Sequence, residues 1–131
     1  MRRAAPDVHD PRVQLLDSIT EIRPEDRGRV IVAASHAGVS AVSYAFNDQP
    51  LACFFNDAGV GKDAAGISGL GPLNDHGIIA ATYSHDSARI GDASDAWASG
   101  ILTHVNARAA ARGIAAGMSV RQAALRLLGQ N

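Results

Sequence analysis

Three short apolar runs punctuate the chain, at residues 29–34, 51–55 and 78–83. None alternates between apolar and polar positions. Continuous runs of five or six such residues predict strands covered on both faces, as in a parallel sheet. The stretches between them, residues 35–50 and 56–77, are each long enough for one crossover helix. Val39, Val42, Tyr44, Ala45 and Phe46 offer an apolar face in the first. Ala64, Ala65, Ile67, Leu70 and Leu73 do so in the second. This predicts the βαβαβ pattern of a parallel sheet.

The flanks read differently. Residues 1–9 are rich in charge and small side chains and read as a flexible N-terminal arm. Asp10-Pro11 resembles an N-cap followed by proline at the first helical position, and Val13, Leu15, Leu16 and Ile19 follow at near-helical spacing. A helix is therefore expected there. After the third run, Ser94-Asp95 can cap a long helix to about Arg112, because Trp97, Ile101, Val105 and Ala109 recur every four residues before Gly113. Ser119 and Gln122 form a capping-box pattern for a last helix carrying Val120, Ala123, Ala124, Leu127 and Leu128. The expected fold is α/β: a single three-layer domain over residues 10–131, with a short parallel sheet, an N-terminal helix and two C-terminal helices. Three strands make a narrow sheet, so a homo-oligomer is expected to complete the core.

Composition narrows the function. The chain has 131 residues and a formal net charge of −1, so nothing favours a nucleic acid or an anionic membrane as partner. No segment approaches the ~20 apolar residues of a membrane span. Residues 1–6 lack the apolar core of a signal peptide. Cytoplasmic location is the expectation. Cys53 is the only cysteine, which rules out an intrachain disulfide, and its apolar setting suits a buried, inert thiol.

The candidate chemistry follows the strands. The first run leads into Ser35-His36, the second into the segment 56–63 (Asn-Asp-Ala-Gly-Val-Gly-Lys-Asp), and the third into Ser84-His85-Asp86 with Arg89 and Asp92 beyond. In a parallel sheet all three segments emerge at the carboxyl edge, where open α/β sheets bind ligands. Lys62 is the only lysine; the other eleven basic residues are arginines. Its ammonium is a compact charge suited to polarising or attacking a carbonyl. Gly59 and Gly61 allow close backbone approach. Arg89 can grip a carboxylate at two points. Asn56, Asp63 and Asp92 complete the expected binding set, and Asp57 with the two Ser-His pairs completes the catalytic one.

The segment 59–62 lacks the spacing of a nucleotide phosphate loop, and neither the dinucleotide fingerprint nor the G-x-S-x-G elbow occurs. A divalent metal on His36, Asp57, His85, Asp86 and Asp92 is chemically possible but has no diagnostic spacing, so no cofactor is expected. Two functions stay open. One is an enzyme on a small anionic, carbonyl-bearing substrate, with hydrolysis of an amide- or ester-like bond ranked before lyase or isomerase chemistry. The other is a non-catalytic anion- or metabolite-binding module, or a regulatory subunit of a larger complex.

Overall fold

The computed structural model describes residues 1–129. Among the described residues the fold is mixed α/β, with a six-stranded mixed sheet and five α-helices. The strands are β1 (Arg2–Ala4), β2 (Val13–Leu16), β3 (Val30–His36), β4 (Ala52–Asn56), β5 (Ile79–Tyr83) and β6 (Leu102–Val105). They lie in the sheet in chain order. β2 to β5 are parallel, and the two edge strands β1 and β6 are antiparallel to their neighbours. The helices are all short: α1 (Val39–Val42), α2 (Leu70–Asp75), α3 (Ala93–Ser99), α4 (Ala107–Ala111) and α5 (Val120–Leu127).

Alternation along the strands divides the core. Val30, Val32 and Ala34 face one cluster, with Trp97 of α3, Ala109 of α4 and the buried face of α5. Ile31 and Ala33 face the other, with Ile19, Val42, Leu70 and Leu73. Both sheet faces are thus buried, which is why β3, β4 and β5 are apolar at successive positions. The pairing Val13–Val30–Ala52–Ile79 runs level across four strands, so their carboxyl ends open at one edge.

Three expectations are corrected. The N-terminal α-helix is absent: Val13, Leu15 and Leu16 form β2, and Ile19 begins a single 3-10 turn. The Asp10 carboxylate accepts the backbone N–H of Arg12 at 2.9 Å, and the Asp10 carbonyl that of Val13 at 3.2 Å, so Asp10-Pro11 makes a turn and not a helix cap. Val13 and Leu15 then face one core cluster and Leu16 the other, a period of two. The long helix from Ser94 is also broken. α3 stops at Gly100, whose backbone is extended, and the β-branched segment that follows supplies β6. Finally, the sheet is not three strands wide, so the reasoning from a narrow sheet to a homo-oligomer loses its premise.

The segment read as an arm holds β1 and is tied down by ions. Arg2 donates to both carboxylate oxygens of buried Asp26, at 2.9 and 2.8 Å. Asp7 accepts from the indole of Trp97 and the guanidinium of Arg121, each at 2.7 Å. Among the described residues, no helix is long and apolar enough to cross a membrane.

Candidate functional site

The site grows from the end of β4. Asn56 is buried; its amide donates to the Ala88 carbonyl at 3.0 Å, and its Oδ1 accepts the Ala58 N–H at 2.8 Å. Asp57 follows, also buried, and its carboxylate gathers three parts of the chain. Oδ1 accepts the N–H of Gly59 at 2.8 Å and the N–H of His85 at 3.1 Å, and the His85 ring Nδ1 lies 3.3 Å away. Oδ2 accepts the Thr103 hydroxyl at 3.0 Å. Burial alone would raise the Asp57 pKa. The donors from Gly59, His85 and Thr103 outweigh it and hold the carboxyl below its ordinary value.

The loop after Asp57 is conformationally unusual. Ala58, Val60, Asp63 and Ala64 all have φ between +51° and +67°, in the left-handed region that non-glycine residues seldom enter. Val60 is β-branched, where that conformation is least favourable. The loop closes on itself, with Gly66 N–H donating to the Val60 carbonyl at 2.8 Å.

Residues 84–92 run as a strap over the strand ends. Ser84 N–H donates to the Ile101 carbonyl at 2.8 Å, Asn56 holds Ala88, and Gly91 N–H donates to the Ala34 carbonyl at 3.0 Å. Asp92 then caps α3, accepting the Asp95 N–H at 3.0 Å. His85 sits at the start of this strap, with Nδ1 toward Asp57 and Nε2 at 3.3 Å from exposed Asp86. Buried Asp57 fixes the orientation of the ring and leaves its Nε2 edge toward exposed Asp86 and solvent.

A second histidine joins from β6. The Nδ1 of His104 lies 3.1 Å from the Thr103 hydroxyl, which itself lies 3.1 Å from the buried Thr82 hydroxyl. The Thr103 hydroxyl thus stands within hydrogen-bond reach of Asp57, of His104 and of both the hydroxyl and the carbonyl of Thr82. Sequence reasoning placed His104 on a helix and did not single out Thr103. The signal was present in the run from Ile101 to Val105, whose residue types favour a strand beside the Asp57 loop.

The other expected residues are more dispersed. Ser35 and His36 end β3 and line a separate hollow with the turn at residues 18–20. The Ser35 oxygen accepts the Ile19 N–H at 2.9 Å, and the Ser84 oxygen accepts the Asp86 N–H at 3.0 Å. No hydrogen bond joins either hydroxyl to a histidine ring among the described residues. Lys62 is exposed, as are Gly59, Gly61 and Asp63, and no ion pair holds the Lys62 ammonium among the described residues. Arg89 is exposed and lines a shallow hollow with His85, Asp86 and Asp95. The Cys53 thiol is fully buried, and burial pushes its pKa far up. No three His, Cys, Asp or Glu side chains converge as metal ligands among the described residues.

Comparison with known proteins finds no family model that matches the chain, and no significantly similar curated protein or solved structure.

Proposed function

We propose that the chain is a small-molecule hydrolase in which His85, oriented by Asp57, is the general base toward an amide- or ester-like bond of a small anionic substrate. The observation that carries this reading is the buried Asp57 carboxylate, which reaches the His85 ring from the end of β4. Histidine held by a carboxylate is a common general base. Water is the natural nucleophile, because neither Ser35 nor Ser84 is hydrogen-bonded to His85. His85 Nε2 takes a proton from water as the water oxygen bonds to the carbonyl carbon. It then returns the proton to the leaving group as the acyl bond breaks. The exposed Arg89 guanidinium, in the same hollow of about 280 Å³, holds the substrate's carboxylate. Lys62, on the neighbouring loop, adds long-range attraction for an anion without touching the reacting bond.

The test is turnover of a panel of small carboxylate-bearing amides and esters by the purified chain. His85→Ala should lower kcat about 10²- to 10⁴-fold, as loss of a general base does. Arg89→Ala should raise KM and leave kcat near its original value. Turnover that survives His85→Ala overturns the reading.

A second reading, a non-catalytic anion-binding module, is favoured by one observation: Lys62 is exposed and, among the described residues, no hydrogen bond or ion pair joins its ammonium to the Asp57 network. It predicts that a small carboxylate binds at Arg89 and is recovered unchanged.

A further inference from the structure

A second hollow, of about 450 Å³, opens between the ends of β2 and β3 and lies outside the Asp57 network. Its size falls within the range of small-molecule sites, and it sits at the carboxyl ends of parallel strands. Its apolar lining includes Ile19, Ala34, Tyr44 and Ile90. Tyr44 and Ile90 are each about half exposed, 52% and 51%, so large apolar side chains stand at this hollow without cover.

Two of its polar groups, on His36 and Ser35, can donate. The Gly38 N–H donates to His36 Nδ1 at 3.0 Å, which places the proton of the neutral ring on Nε2. Gly38 also leaves that ring its space, since a Cβ there would meet its Cε1 at 2.7 Å. The Ser35 oxygen already accepts the Ile19 N–H, so its own hydrogen remains available to donate. No lysine or arginine lines the hollow. The one carboxylate that does, Asp17, is committed to Arg3 and to the Ala93 N–H.

We infer that this hollow binds a small uncharged carbonyl compound with an apolar chain, such as a primary amide or an ester. The carbonyl oxygen accepts from His36 Nε2–H and Ser35 Oγ–H, and the chain lies along Ile19, Tyr44 and Ile90. A carboxylate is disfavoured, because it would lose hydration with no lysine or arginine in the lining to replace it. This site is distinct from the one at His85 and does not depend on it.

The test is titration of the full chain with hexanamide, followed by amide NMR shifts, with hexanoate as the charged comparison. Hexanamide should shift the amides of Ile19, Ser35, Gly38 and Ile90. Hexanoate should bind at least about tenfold more weakly, the scale of an uncompensated charge in a partly desolvated site. His36→Phe should weaken hexanamide about fivefold, the value of one net hydrogen bond. Should that variant lose its folded spectrum, Tyr44→Ala, at an exposed position, carries the test with a similar loss. Equal binding of hexanoate, unchanged affinity in the folded variant, or shifts confined to other parts of the chain would overturn the inference.

Discussion

Val60 holds φ at +67°, a conformation that costs a β-branched residue of the order of 1–3 kcal/mol. Three other non-glycine residues of the same loop, Ala58, Asp63 and Ala64, share the left-handed region. Strain of this kind persists only where the surroundings fix it, and here the Asp57 carboxylate and the Gly66 N–H do so. Val60→Gly removes the penalty but adds the greater freedom of glycine in the unfolded chain, about 0.5–1 kcal/mol. A net gain of between about 0 and 2.5 kcal/mol follows, seen as a rise of up to roughly 9 °C in Tm for a chain of this size. A fall in Tm would mean that the isopropyl group earns its strained position through packing. Asp57 makes the opposite case at the same scale. Asp57→Asn keeps the shape but replaces a full charge that accepts from Gly59, His85 and Thr103 with an amide that accepts through one oxygen. Stability should fall by about 1–3 kcal/mol in thermal or urea unfolding.

Among the elements, the loop at residues 57–66 depends on one close approach. A Cβ at Gly66 would lie 1.9 Å from the Asp57 carbonyl oxygen, a backbone atom that cannot swing aside. Gly66→Ala should therefore displace the loop, lower stability by about 1–3 kcal/mol, and disorder the Asp57–His85 contact. Gly71→Ala is the matched control. It lies in α2 with nothing within 4 Å of the added methyl, and should be neutral or stabilising by up to about 1 kcal/mol. Paired urea unfolding curves check both. None of this was legible in the sequence, where Ala64 and Ala65 read as the start of a crossover helix. The helix begins only at Leu70, because the left-handed loop takes up the residues before it. β3, β4 and β5 were legible to within a residue or two, since strands buried on both faces are apolar at every position. β2 and β6 were not. Val13, Leu15, Leu16 and Ile19 fit a period of 2 and a period of 3.6 about equally well, and Trp97, Ile101, Val105 and Ala109 mimic a helical stripe although the chain turns at Gly100 between them. The site followed the same division. The common edge of the three strand ends was legible, but Ser35 and His36 line a hollow apart from His85 and Arg89, and Thr103 and His104 depended on a strand that the helical pattern concealed.

At the scale of the whole molecule, the sheet is sealed at its β1 edge by charge. Buried Asp26 accepts two bonds from Arg2, one from Arg29 at 3.2 Å, and the Arg23 N–H at 2.9 Å. It thereby joins β1 to the turn before β3. Burial acts to raise its pKa, but these donors prevail and hold it below the ordinary value. Asp17, bonded to Arg3, the Ala93 N–H and the N-terminal amine, is depressed as well, with Arg3 the largest cause. A carboxyl whose folded pKa is lowered contributes stability that is complete above the unfolded pKa, near 4, and is lost as pH falls through the folded value. The chain should therefore hold its unfolding free energy from neutrality down to about pH 5 and lose it steeply below pH 4. Asp26→Asn should cost about 3–5 kcal/mol at pH 7, because it leaves Arg2 facing a buried neutral amide. It should also flatten the acid limb, since one of the protons taken up on unfolding is no longer bound. Urea unfolding of both chains between pH 2.5 and 7 separates these effects. Parallel curves with the same acid slope would show that Asp26 does not link β1 to proton uptake, and the other depressed carboxyls, Asp17 and Asp57 among them, would then account for the acid sensitivity.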